Sequence, residues 1–247
     1  RILGAVAGVS VLLMSGSAFA GGLERGGYNI DLLFDPARIT AEAGAIYVSP
    51  QRKLNNVRDT DPSDGLGNNG IGGGDTQGVR GTGDFWVPRA GLKVSIVDGV
   101  DCLLSYGQPW GAKFDPGANW AGANHNIITE VKSDSYEGTC SYKFQAGKGD
   151  LRVIGGVYYQ EIDGYKYRLV HPGAPGLFSG VGLLDLGTDG WGWRAGVAYE
   201  IPEIAFRASL VYNAEVDLGD ISGFVDLTQT PLVPGLGGQV IDVFGSA

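Results

Sequence analysis

The sequence predicts an all-β protein, an antiparallel transmembrane β-barrel, and three observations carry that expectation. The first is residues 151–169. Leu151, Val153, Gly155, Val157, Tyr159, Tyr165, Tyr167 and Leu169 share one face, apolar apart from Glu161 and Asp163, and Arg152, Gln160, Lys166 and Arg168 lie on the other. A period of two marks a strand. This one outruns both the usual strand of about 5–6 residues and the roughly 9–11 that cross a bilayer. The second is an alternation of short and long connections. Short turns fall at 98–99, 146–150 and 201–203, and long ones at 58–84, 115–126, 170–189 and beyond 218. Outer-membrane barrels separate short turns and long loops onto opposite sides of the membrane. The third is residues 1–20, which read as a secretory signal peptide. Arg1 ends a basic stretch, residues 2–14 are apolar, and Ala18-Phe19-Ala20 is a small-x-small cleavage site. Ser15-Gly16-Ser17 interrupts that run before it reaches the length of a membrane helix.

Composition narrows the classes. Charged residues make up 18% of the 247, below the usual quarter or so. Mean hydropathy is near zero, as happens when lipid-facing and lumen-facing residues cancel in any window. A formal net charge of −9 argues against a nucleic-acid partner. The two cysteines are too few for a disulfide scaffold or a CxxC metal site, so no cofactor and no metal are expected.

The elements follow in order. Residues 21–42 form a compact unit ahead of the strands, with a turn at Asp35-Pro36. Strands are expected at 43–57 (interrupted by Pro50), 86–97, 100–106, 127–144, 151–169, 191–200 and 204–217. Asp98-Gly99 is a hairpin turn. Gly107, Gln108 and Pro109 break the third strand, because proline cannot donate to a ladder, and the strand resumes at 110–114. The strand at 127–144 changes register partway, which suggests a bulge. Residues 218–247 read as a loop that the chain does not return from.

Several segments in this order resemble the FadL/TodX-type outer-membrane transporters of long-chain fatty acids and other hydrophobic compounds. They are Gly21-Gly22, Leu33-Phe34-Asp35-Pro36-Ala37, Gly44-Ala45-Ile46-Tyr47-Val48-Ser49-Pro50, Trp86-Val87-Pro88, Ser105-Tyr106-Gly107 and Trp191-Gly192-Trp193-Arg194-Ala195-Gly196. The resemblance implies a fourteen-stranded barrel plugged by an N-terminal hatch. Residues 21–42 would be the hatch, with Asp35, Pro36 and Ala37 at its family motif, where Asp35 replaces the family's usual Asn. Gly107, Gln108 and Pro109 fall at the kink that opens the family's wall sideways. The outer loops would capture ligand through Leu177, Phe178, Val181, Leu183 and Leu184. Seven strands are half of such a barrel, and an open edge is not viable in lipid. The chain is therefore expected to be the N-terminal half of a longer, monomeric outer-membrane protein, with residues 43–217 spanning and 218–247 a truncated outer loop.

Passive transport of an apolar ligand, a fatty acid or an aromatic hydrocarbon, needs no catalytic constellation, so no enzyme is expected. His125 and His171 sit in loops, with no spacing that suggests a Ser/His/acid arrangement. Lys166 and Arg168 face inward near the outer end of their strand. Either they meet a ligand carboxylate or they pair with acidic neighbours such as Glu130 and Asp134. Cys102 and Cys140 should lie nearly opposite on adjacent strands, where a disulfide can form in the oxidising periplasm. A secreted or surface-attached β-protein with an adhesive or structural role is the alternative reading.

Overall fold

A computed structural model describes residues 23–58, 74–170, 180–230, 235 and 237–246. Its strands are β1 (Ile39–Val48), β2 (Lys53–Leu54), β3 (Val79–Arg80), β4 (Phe85–Val97), β5 (Val100–Gly107), β6 (Gly111–Phe114), β7 (Ile128–Ala146), β8 (Gly149–Val170), β9 (Gly180–Ile201), β10 (Phe206–Asn213), β11 (Asp217–Leu218), β12 (Ile221–Asp226) and β13 (Val240–Gly245). All but β2 and β3 form one sheet in the order β1-β4-β5-β7-β8-β9-β12-β13, with β6 on β7 and β10 and β11 on β9. Every pairing in it is antiparallel, so it is a meander of neighbours in sequence.

Four expectations are corrected. The first strand begins four residues before and ends nine residues before the expected 43–57: Ile39, Ala41 and Ala43 alternate with Thr40 and Glu42, and the strand stops at Val48, before Pro50. The interval 170–189 is not all loop, because β9 begins at Gly180, which makes Val181, Leu183 and Leu184 strand residues. The interval 218–247 holds β12 and β13. The ladder between β7 and β8 is continuous from Ile128↔Tyr167 to Ala146↔Gly149, so β7 carries no bulge against β8. The register change lies in its neighbour, where Gly107 opposes Ser135 and Gly111 opposes Lys132. Three residues, Gln108, Pro109 and Trp110, there stand against two. Residues 206–226 are likewise one strand broken twice along β9.

The two faces of the sheet differ in kind. On the bare face Tyr106, Tyr136, Tyr159 and Trp191 lie directly opposite one another across four strands. From that row to the short turns, a distance of about 26 Å along β7 at roughly 3.3 Å per residue, the bare face carries no charged side chain. Leu104, Val157, Trp193, Val197 and Leu210 are exposed there. Immediately beyond the row, on the loop side, Asp134, Glu161 and Asp189 stand opposite one another.

The other face is covered by residues 23–38. Leu33, in a 3-10 turn at Asp31–Phe34, is fully buried among Leu103, Ile154 and Ala198. Leu32 approaches Gly91 on β4, and Asp31 pairs with Arg207 on β10 at 2.7 Å. Five strand-to-strand steps of about 4.8 Å separate β4 from β10. A four-residue turn can reach both only because the sheet curls around it. Burial of a leucine stabilises by about 1.5–3 kcal/mol, so Leu33 anchors the segment. Leu33→Ala is expected to cost about 2–5 kcal/mol, read as a lower heat-modification temperature on gels. Limited proteolysis should cut residues 23–38 first and spare the strands.

Candidate functional site

Buried charges fix the lower end of the N-terminal segment. Lys93, 1% exposed, donates to the carbonyls of Asp35 at 3.0 Å and Ala37 at 2.7 Å. It also pairs with Asp101 at 2.9 Å, which holds Arg152 at 2.7 Å, and Arg152 reaches Glu200 at 3.2 Å. Buried charges persist only when paired, and here the pairs link β4 to β5, β5 across β7 to β8, and β8 to β9, with Lys93 holding the segment. The three residues expected at the hatch motif, Asp35, Pro36 and Ala37, sit in this corner. The Asp35 carboxylate accepts from the Ala37 amide at 2.8 Å and the Thr40 hydroxyl at 2.9 Å, and these bonds hold its pKa below the usual carboxylate range.

Higher up, Tyr28 lies against Tyr158 and edge-on to Trp110. It covers the Arg194 guanidinium, which pairs with Glu137 at 2.6 Å. Tyr158 donates to the Ala214 carbonyl at the break between β10 and β11.

The expected break at Gly107, Gln108 and Pro109 is present, and something fills it. Because β5 stops pairing with β4 at Arg89↔Gly107, residues 85–88 of β4 have no partner on β6. Residues 23–27 lie in that gap. Arg25 and Gly27 donate their amides to the Pro109 carbonyl at 2.9 and 3.4 Å, and Gly111 donates to the Leu23 carbonyl at 2.6 Å. Gln108 donates its side-chain amide to Asp134 at 2.9 Å, and Tyr106 donates its hydroxyl there at 2.6 Å.

The covered face opens above the segment into a cavity of about 290 Å³ lined by Thr129, Val131, Ile162, Lys166, Leu184, Leu186 and Ile221. Lys166 stands opposite Leu184 and has no ion pair among the described residues. The acids expected to pair with it are engaged elsewhere: Glu130 with Arg25, Lys113 and the Tyr165 hydroxyl, and Asp134 with Lys132 and the groups at the break. Of the residues expected to capture ligand, Lys166 and Leu184 meet here. Val181 instead packs with Leu169, Val79 and Trp120 under the outer loops. Leu183 points to the opposite face from Leu184, and Arg168 is exposed. Leu177 and Phe178 lie outside the described residues, as do residues 1–22 and His171. Val131, Ile162 and Leu186 were not singled out from the sequence; Val131 and Ile162 lie at inward-facing positions of strands that the sequence marks, whereas Leu186 lies where both faces of its strand are apolar or small.

Cys102 and Cys140 oppose each other between β5 and β7 and are joined as a disulfide, with Cα atoms 4.1 Å apart. Both sit on the bare face.

No protein-family model matches the chain, and no curated protein matches it. Among solved structures it is similar to one described as the crystal structure of a Pseudomonas aeruginosa FadL homologue, with 17% sequence identity and a TM-score of 0.49 over 83% of this chain. The chain spans 45% of the length of that structure.

Asp35 gives the N-terminal corner a pH dependence. Its folded pKa lies below the unfolded one, so it stabilises the turn above that range and the contribution is lost as the pH falls through it. Acidification should therefore speed proteolysis of residues 23–38. Asp35→Asn, which keeps an oxygen acceptor but does not titrate, should flatten that dependence.

Proposed function

We propose that this chain forms part of an outer-membrane barrel that passes amphipathic apolar molecules, long-chain fatty acids foremost, across the membrane without catalysis. The carrying observation is the apolar cavity with Lys166 among its lining residues, a cation that has no ion pair among the described residues. A group so placed is suited to a carboxylate whose hydrocarbon tail fills the cavity. The bare face supports the membrane setting. Its uncharged band, of a height suited to the bilayer and edged by aromatic side chains, matches what lipid and its interfaces select.

The path follows from the same geometry. Ligand enters from the long-loop side, rests with its head at Lys166, and leaves sideways at Gly107, Gln108 and Pro109 once residues 23–27 withdraw. Residues 21–42 act as the hatch. The break lies beside the aromatic row, so a sideways exit delivers an apolar tail to the outer edge of the uncharged band rather than to bulk water, which is the lower free-energy route for such a molecule. The motifs shared with the FadL/TodX-type transporters agree with this reading.

Replacing Lys166 tests it. A charge-assisted hydrogen bond contributes about 1.5–3 kcal/mol, so Lys166→Met should weaken binding of hexadecanoic acid by about tenfold or more and leave hexadecanol unaffected. Equilibrium binding to the full-length barrel in detergent measures both. Equal effects on acid and alcohol would contradict the proposed role of the ammonium.

A further inference from the structure

The gap in the wall is closed by a segment that brings a charge with it. Arg25 is 4% exposed at its side chain. Its guanidinium lies 4.4 Å over the Phe85 ring. Gly111 backs it so closely that a Cβ there would stand 2.6 Å from Nε. The Arg25 amide meanwhile donates to the Pro109 carbonyl. The side chain thus runs between β4 and β6, across the break. Its counter-charge is Glu130, 3.5 Å away, and no other acid lies within 4.0 Å of it among the described residues. At that distance the two form an ion pair without a hydrogen bond, and Nε and Nη2 have no hydrogen-bond partner. Glu130 is itself positioned by Lys113 at 3.3 Å and by the Tyr165 hydroxyl at 3.0 Å.

We propose that Glu130 is the positioning residue that holds the side exit shut, by retaining the Arg25 guanidinium inside the wall. The proposal rests on the reading of the break as the exit, and it adds what keeps that exit closed. A buried guanidinium without its counter-charge is far costlier than one in water. Once Glu130 is neutral, withdrawing residues 23–27 relieves that cost, and the gap opens. Losing Arg25 instead leaves Glu130 compensated by Lys113 and Tyr165. The segment is then held only by its backbone hydrogen bonds and is loosened less. Losing Lys113 leaves the Arg25–Glu130 pair in place.

The order of effects is therefore fixed in advance: Glu130→Gln largest, Arg25→Met smaller, Lys113→Met close to wild type, and Glu130→Asp restoring most of the closure. Cys102 and Cys140 are bonded to each other, so Glu24→Cys, in a full-length barrel with any free cysteine outside this chain replaced by serine, takes a single nitroxide label. Glu24 forms a bridge with Trp110, and its label reports whether the segment is docked. In the full-length barrel reconstituted in liposomes, the ratio of mobile to immobile label should rise at least about tenfold in Glu130→Gln, as expected for breaking a buried pair. In the same liposomes, maximal uptake of labelled hexadecanoic acid should rise with the half-saturating concentration unchanged. A docked, immobile label in both Glu130→Gln and Arg25→Met would overturn the proposal. Should Glu130→Gln fail to insert, Arg25→Met creates no orphaned charge and carries the test alone. Label mobility in the stated order with no uptake by any variant would uphold the closure and remove the transport reading. Uptake with the order absent would do the reverse.

Discussion

A β-wall tolerates few unpaired backbone groups, and this constraint organises the N-terminal half of the chain. Pro109 lacks an amide, and one surplus residue at Gln108, Pro109 and Trp110 forces β5 and β6 out of register on β7. The upper part of β4 then faces a gap. In hydrocarbon such freed groups would cost several kcal/mol each. Here the Pro109 carbonyl and the Gly111 amide are satisfied by residues 23–27. A defect in the sheet and the position of the N-terminal segment are thus one feature. The segment completes the wall at the break through its backbone hydrogen bonds and a single bridge, Glu24 with Trp110.

Placement of charge follows the same logic. Charged groups below the aromatic row all point to the covered face, where Lys93, Asp101, Arg152 and Glu200 form one connected set and Arg194 meets Glu137. The bare face takes the opposite composition over the same height. A one-residue slip of any strand would turn these charges outward, so the buried pairs specify register as well as holding the segment. Lys166 departs from the pattern, being inward-facing, cationic and without an ion pair among the described residues. That departure is why it reads as a ligand contact rather than as scaffold.

Much of this was legible in the sequence because β4, β5 and the lower halves of β7 and β8 alternate cleanly. The break was legible too, since glycine and proline at 107 and 109 admit few other readings. The start of β9 was not. Gly180, Gly182, Leu183, Leu184, Leu186 and Gly187 are apolar or small on both faces, so the period of two vanishes, and the glycines resemble a loop. β12 and β13 are six residues each and are separated by glycine- and proline-rich chain, below the length at which alternation is distinctive. The cavity was half visible. Lys166 carries a charge that marks it, whereas Val131, Ile162 and Leu186 become one surface only through the register of three strands. The docking of residues 23–27 in the gap joins positions some 85 residues apart, and no local pattern encodes it.

The proposed transport requires an amphipathic molecule in the cavity beside Lys166. Photolabelling tests it most directly, with a hexadecanoic acid carrying a diazirine on its tail, presented to the full-length barrel in outer membranes and followed by peptide mapping of the adducts. The account predicts adducts at Val131, Ile162, Leu184 and Leu186, competed away by unlabelled hexadecanoic acid. Adducts confined to bare-face residues such as Leu104 and Val157, with none in the cavity, would mean that the probe met the protein only as surrounding lipid and would contradict the account.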